Sequence, residues 1–183
     1  MRPERRVELS KFLSFILRHQ PEGVGLRLEP GGWVEVDDLL AACQLSGWEI
    51  DRAVLKEVVE LGNKPRFSFS DEGDRIRANY GHSVEIDLGI EPQAPPDKLF
   101  HGTARKSLAS IHLQGLQPKG RQWVHLSPDR ETAESVGSRH GSPVVLVVAA
   151  RRLYLQGHAF YHPAEGTWLT DSVPPEALEI PGD

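Results

Sequence analysis

The sequence predicts an α+β protein in two parts, a helical first half closed by a hairpin and a strand-rich second half. Three observations predict it. Apolar residues recur at helical spacing at Val7, Leu9, Phe12, Leu13, Ile16 and Leu17. Arg66-Phe-Ser-Phe and Arg75-Ile-Arg-Ala flank the turn Asp71-Glu-Gly-Asp as a hairpin. The run Val144–Ala150 is apolar on both faces and reads as a central strand. Between the halves, Pro92, Pro95 and Pro96 interrupt regular structure. The expected division is a lobe over 1–82, a connector with one strand over 83–97, and a second lobe over 98–183.

The first helix ends at Arg18-His-Gln, because Pro21 and Gly23 cannot continue it. Gly25–Leu28 and Trp33–Val36 follow as short extended pieces. Asp37 is the expected N-cap of a helix through Leu39, Leu40 and Ala42, and Asp51 of another carrying Ala53, Val54, Val58 and Leu61. Helices followed by a hairpin make a winged-helix-like module, a shape that often meets nucleic acid. Val84, Ile86 and Leu88 alternate as a strand. In the second half, strands are expected at 99–103 and 121–127. Two short helices follow Ser107 and Asp129, and further strands fall at 155–161, 167–170 and 178–180.

Composition bounds the function. The 183 residues are 39% hydrophobic and 26% charged, as in a water-soluble globular chain, and can bury a real core. No apolar run approaches the roughly 20 residues that span a bilayer. Met1-Arg-Pro-Glu-Arg-Arg leads into no secretory core, so the expected location is the cytoplasm. The net charge of −5 argues against indiscriminate coating of nucleic acid, so any contact with RNA or DNA must be a local patch. The cations are 15 Arg and 6 Lys, a bias toward the side chain that can fork two hydrogen bonds onto a phosphate. A single cysteine, Cys43, excludes an internal disulfide and any multi-cysteine metal site.

Chemistry-bearing residues fall at the ends of expected elements. Leu99–Ser127 reads as strand, helix, strand, with His101 and His125 at the strand tips and His125 sharing a face with Ser127. That makes a wall for a small polar ligand. Arg18 and His19 end the first helix, Arg66 opens the hairpin, and Arg121 precedes the 124–127 strand. Such positions let side chains converge on a ligand, and equally let them cap carbonyls in solvent. Histidine pairs at helical metal-binding spacing, acidic clusters, phosphate-binding glycine loops and serine-nucleophile elbows are all missing from the sequence.

In their order and spacing, a series of motifs resembles the NAD-dependent RNA (tRNA) 2′-phosphotransferases over nearly the whole chain. They are Leu9-Ser-Lys-Phe-Leu-Ser-Phe-Ile-Leu-Arg-His, Gly32-Trp-Val-Glu-Val-Asp-Asp-Leu-Leu, Lys64-Pro-Arg-Phe, Ile76-Arg-Ala and Gly81-His-Ser. Phe100-His-Gly-Thr, Gly120-Arg-Gln-Trp-Val-His-Leu-Ser, Arg139-His-Gly and Trp168-Leu-Thr-Asp-Ser-Val-Pro-Pro follow. The resemblance implies a winged-helix RNA-binding lobe followed by an ADP-ribosyltransferase-like lobe that binds NAD. Carried over by motif, Arg18, His19, Arg66 and Arg121 match the family's catalytic set. His101, Gly102, Thr103, His125 and Ser127 match its NAD-binding positions, with Val173 where related transferases place a glutamate that supports transfer to protein side chains. Three positions depart from the pattern: Tyr80 in place of glutamine, Glu165 in place of asparagine, and Pro65 where a basic or polar residue is usual.

The resemblance further implies a reaction in two steps. An internal RNA 2′-phosphate attacks NAD and expels nicotinamide, leaving an ADP-ribosylated RNA phosphate. The ADP-ribose 2″-hydroxyl then attacks that phosphate, giving 2′-OH RNA and ADP-ribose 1″,2″-cyclic phosphate. NAD is thus a co-substrate, no metal is expected, and neither a membrane nor a protein partner is implied. Arg18 and Arg66 would clamp the phosphate, His19 would donate to it, and Arg121 would stabilise charge in the second step. Two alternatives remain at this stage. One is a nucleic-acid-binding sensor of NAD or ADP-ribose without chemistry, and the other an ADP-ribosyltransferase that caps terminal phosphates.

Overall fold

A computed structural model describes residues 1–181. The chain forms two compact units, Met1–Gly89 and Ile90–Asp183, each with its own core. Its secondary structure mixes helices with small antiparallel sheets, an α+β arrangement as the sequence predicts.

In the first unit, α1 (Pro3–Arg18) starts with proline at a position that needs no N–H donor. It buries Leu9, Leu13, Ile16 and Leu17, the residues of the sequence periodicity. Helices α2 (Val36–Leu45) and α3 (Arg52–Glu60) add Val36, Leu39, Ala42, Cys43, Leu55 and Val58. The Asp51 carboxylate accepts from the Val54 N–H at 2.8 Å and caps α3 as expected. Asp37 does not cap α2. That helix begins one residue earlier, and Asp37 lies in its first turn, where its carboxylate accepts from Arg52 Nη2 at 2.8 Å. Strands β1 (Trp33–Glu35), β2 (Phe67–Phe69) and β3 (Arg75–Ala78) form one antiparallel sheet with β3 in the middle. The hairpin is therefore present.

Two expected extended pieces do not join a sheet. Leu26 is buried by a turn that bonds its N–H to the Pro21 carbonyl, not by a ladder. Val84–Leu88 alternates in sequence, yet its backbone is spent elsewhere. Ser83 and Val84 donate to the Arg18 carbonyl, and the Asp87 carbonyl accepts from Gly31.

The second unit holds two three-stranded sheets. Strands β4 (Leu99–Ala104), β5 (Val124–Leu126), β6 (Pro143–Val148), β7 (Tyr161–Ala164), β8 (Thr167–Thr170) and β9 (Leu178–Glu179) pair antiparallel, in the orders β4-β6-β9 and β5-β8-β7. β6 is central, as its two-sided apolar run requires, and the two sheets meet where Phe100 and Ser127 exchange backbone hydrogen bonds of 2.8 and 2.7 Å. Helices α4 (Leu108–Gln114), α5 (Arg130–Gly137) and α6 (Ala150–Leu155) make three where two were expected. The third, α6, lies between the central strand and the segment read as a strand over 155–161, and takes in that segment's first residue, Leu155. Ala150 and Leu153 bury at helical spacing, and the strand starts only at Tyr161. The Asp129 carboxylate caps α5 through the Thr132 N–H at 2.7 Å.

Helix α5 lies directly on β4, and two glycines make that approach possible. A Cβ on Gly102 would overlap the Ala133 carbonyl oxygen, and one on Gly137 would sit 2.8 Å from the Thr103 carbonyl oxygen. Gly102→Ala must therefore push α5 off the strand. It is expected to cost about 3 kcal/mol or more of stability, at the upper end of overpacking costs, read as a lowered unfolding midpoint by circular dichroism.

Candidate active site

The phosphate-ligand candidates of the first unit gather at the end of α1. Arg18 closes the helix and His19 is its C-cap, where cations are favoured by the helix dipole. The guanidinium carbon of Arg18 lies 5.1 Å from the Tyr80 ring centroid and 5.9 Å from that of Phe67. Two aromatic rings thus lie within cation–π range of this half-buried guanidinium. Arg66 immediately precedes Phe67, and its Nη1 donates to Asn63 Oδ1 at 2.9 Å. Its backbone is fixed from β3's end. The buried Asn79 donates through its N–H to the Arg66 carbonyl and through Nδ2 to the Pro65 carbonyl, both at 2.9 Å. Pro65, which departs from the expected pattern, contributes its carbonyl to this anchoring.

The segment 80–84 wraps this helix end. Gly81 takes φ +89°, and a Cβ there would lie 3.3 Å from Arg18 Nη1, so a side chain would press on the guanidinium. Ser83 Oγ is 2.8 Å from His19 Nδ1. His82 is buried at 2% exposure, and burial, then the charges of Arg18, His19 and Arg77, push its pKa down to about 4. It is neutral at ordinary pH and adds no charge to the cluster. From sequence, Gly81-His-Ser is a motif of the family resemblance with no role assigned to its three residues. The signal that could have drawn notice is a polar pair directly after a glycine.

In the second unit the expected NAD-binding positions divide. His101 is the third residue of β4 and His125 the middle of β5, so both sit inside strands and not at their tips. His101 Nδ1 donates to the His125 carbonyl at 2.9 Å, and His125 Nδ1 donates to the Trp123 carbonyl at 3.0 Å. A carbonyl can only accept, so each neutral ring carries its proton on Nδ1 and keeps Nε2 as an acceptor. Burial lowers the pKa of His101 and outweighs the bond to His125. The charges of Lys119, Arg121 and His140 act in the same lowering direction. A neutral His101 therefore stands in a positively charged neighbourhood.

Thr103 on β4 and Ser127, one residue past β5, are buried polar residues. Gly102 lies under α5, and Val173 is fully buried in the core, its backbone paired with Leu116, so both act as packing residues in this structure. Arg121 is exposed, in the turn before β5 where its N–H reaches the Pro118 carbonyl and Lys119 takes the left-handed φ of 54°. Glu165 is exposed at the β7–β8 turn. Trp123 packs edge-on to Tyr161, with ring centroids 5.0 Å apart, and His162 stacks on Trp168 at 4.5 Å. Among the described residues, no group of three or more His, Cys, Asp or Glu is placed to hold a metal ion, and no helix is long and apolar enough to cross a membrane.

An α+β chain with an Arg–His cluster in one unit and a pair of carbonyl-locked histidines in the other is thus defined by its structure. Comparison with known proteins identifies its kind. The family model described as RNA 2′-phosphotransferase, Tpt1 / KptA family, matches residues 4–172, and the chain belongs to that family. A probable RNA 2′-phosphotransferase of Nostoc punctiforme is 50% identical over 179 residues, which cover 98% of this chain and 99% of the relative. Its counterpart in Herpetosiphon aurantiacus is 52% identical over 180 residues, again 98% and 99%. One of Streptomyces coelicolor is 49% identical over 181 residues, 99% of this chain and 98% of its own.

The depressed pKa of His82 has a consequence for stability. The unfolded ring binds a proton near its ordinary pKa of 6.5, and the folded ring only near 4. Unfolding therefore takes up a proton between those values, and the folded state loses stability as pH falls through that window. The loss from this group is expected to reach about 2 kcal/mol at pH 5. Urea midpoints at pH 7.5 and pH 5 should show a clearly smaller acid loss in His82→Gln than in the natural chain.

Proposed function

We propose that this protein removes an internal 2′-phosphate from RNA by transferring it to NAD, and that its first unit is a winged-helix RNA-binding lobe and its second an ADP-ribosyltransferase-like lobe. The structural observation that carries the reading is the Arg18–His19 pair, with Arg18 held between the rings of Phe67 and Tyr80 at the end of α1. A dianionic ester needs cations whose direction is fixed, and aromatic support fixes direction without removing charge.

The second unit's residues fit NAD in kind. Nε2 of His101 and of His125 accepts, as ribose hydroxyl donors require. Lys119, Arg121 and His140 give the neighbourhood of His101 the sign that suits a pyrophosphate. The 2′-phosphate is already ionised at neutral pH, so it attacks C1″ without a general base, and the C1″–N bond breaks with its electrons to nicotinamide. In the second step the 2″-oxygen attacks phosphorus and loses its proton. The RNA 2′-oxygen leaves and ends as 2′-OH, and the phosphate closes as ADP-ribose 1″,2″-cyclic phosphate.

Arg18 and Arg66 bind the phosphate, His19 donates to it, and Arg121 meets the charge that builds in the second step. That step adds negative charge to a phosphate already esterified twice, so it depends more on a cation than the first.

The test is incubation with NAD and an oligoribonucleotide bearing one internal 2′-phosphate. Release of nicotinamide and phosphate-free RNA supports the proposal. Binding without turnover supports a sensor, and a stable adduct an ADP-ribosyltransferase.

Arg121→Ala is expected to slow the second step by roughly 10²–10³ and to accumulate ADP-ribosylated RNA on a gel time course. Slow substrate loss without that adduct would assign Arg121 to the first step or to the fold. Arg66→Lys, which keeps the charge but loses the fork, is expected to lose most turnover in the same assay, and wild-type rates would make Arg66 a point charge only.

A further inference from the structure

On the reading above, His19 donates a hydrogen bond to the RNA phosphate, which requires a proton on the ring nitrogen that faces it. We propose that Ser83 is the positioning residue for His19: its hydroxyl occupies Nδ1, so that Nε2–H is presented to the phosphate whether the ring is neutral or charged. The inference rests on the proposed function and adds to it a residue outside the catalytic set.

The chain supplies its own contrast. His101 and His125 bond through Nδ1 to carbonyls, which only accept, and so their neutral rings have no proton at Nε2. The partner of His19 is a hydroxyl, 2.8 Å from Nδ1. Unlike a carbonyl, a hydroxyl can donate to a neutral Nδ1 as well as accept from a protonated one, so this bond lets Nε2 keep its hydrogen in both states. One nitrogen pattern suits acceptance from sugar hydroxyls, the other donation to an anion.

Ser83 itself is exposed, so its bond to His19 contributes little stability against water, and its use is orientation. Its backbone is anchored to the helix that His19 ends. The N–H groups of Ser83 and Val84 donate to the Arg18 carbonyl at 3.0 and 3.4 Å. Upstream, Tyr80 faces the Arg18 guanidinium and Gly81 turns with positive φ beneath it. The Phe15 ring, one turn back on α1, lies 6.4 Å from the His19 ring.

The titratable and charged groups at this helix end are Arg18 on α1, Tyr80 and His82 in the loop and, through the field at His82, Arg77 on β3. Between pH 6 and pH 8.5 the arginines stay charged, and the buried His82 stays neutral. The ordinary imidazole pKa of about 6.5 falls inside that window, so its two ends sample different mixtures of charged and neutral ring.

Without Ser83, a protonated ring still offers N–H on either side, but a neutral ring can turn or place its proton on Nδ1. Ser83→Ala is therefore expected to lower the single-turnover rate of 2′-phosphate removal, at saturating NAD, roughly tenfold at pH 8.5 and about twofold or less at pH 6. Ser83→Thr, which restores the hydroxyl, should recover the flat profile. An equal loss at both pH values, or none, overturns the proposal.

Ring nitrogen-15 spectra of the free protein at pH 8.5, with His19 assigned by its absence in His19→Gln, give a readout independent of turnover. The natural chain should show His19 protonated at Nε2 alone, and Ser83→Ala a mixture of both neutral forms. An unchanged spectrum in the variant also overturns the proposal. A natural chain that leaves 2′-phosphorylated RNA untouched would instead sink the functional reading, while the spectra still decide the Ser83–His19 bond.

Discussion

The Arg18 carbonyl oxygen is where the chemistry of the first unit is anchored. A helix leaves its last carbonyls without intrahelical partners, and those groups must find donors. Here Ser83 and Val84 supply them from a segment more than sixty residues downstream. Because that segment must lie across the end of α1, Tyr80 comes to face the Arg18 guanidinium and Ser83 reaches the ring of His19. A requirement of backbone hydrogen bonding thus becomes the orientation of two side chains. The same requirement explains why Val84–Leu88, apolar at alternate positions, forms no strand.

The second unit is governed by close approach of backbone to backbone. Helix α5 can lie on β4 only because Gly102 and Gly137 carry no side chain. β4 in turn meets β5 through the Phe100–Ser127 pair, which sets the His101 ring against the His125 carbonyl. The proton position on His101 follows from that register, and that on His125 from its local bond to the Trp123 carbonyl. Residues that look like ligand contacts in sequence therefore serve two purposes. Gly102 and Val173 pack within the scaffold, whereas His101 and Thr103 on β4, His125 on β5 and Ser127 just past it supply polar groups.

Much of the architecture was legible without coordinates. The periodicity of α1, the hairpin around Asp71–Asp74, the caps at Asp51 and Asp129 and the central strand β6 are local signals, each carried by a few neighbouring residues. The failures share one cause. Asp37 looks like a cap, but Val36 enters the helix ahead of it and Arg52 takes its carboxylate. Segment 155–161 has strand-forming residues, but α6 extends into its first position. In both, a neighbouring helix claimed residues whose local preference is worth less than about 1 kcal/mol each.

By itself the sequence determined the two-part α+β plan, the family resemblance and the identity of the arginines and histidines at the candidate site, since all are properties of residue type and order. Only the tertiary structure decided how those groups are held. It braced Arg18 between Phe67 and Tyr80, buried His82 until its pKa fell to about 4, and gave His101 and His125 carbonyl partners but His19 a hydroxyl. The physical reason is that a side chain's charge is set largely by its own chemistry, whereas its direction, tautomer and desolvation depend on what the fold packs against it.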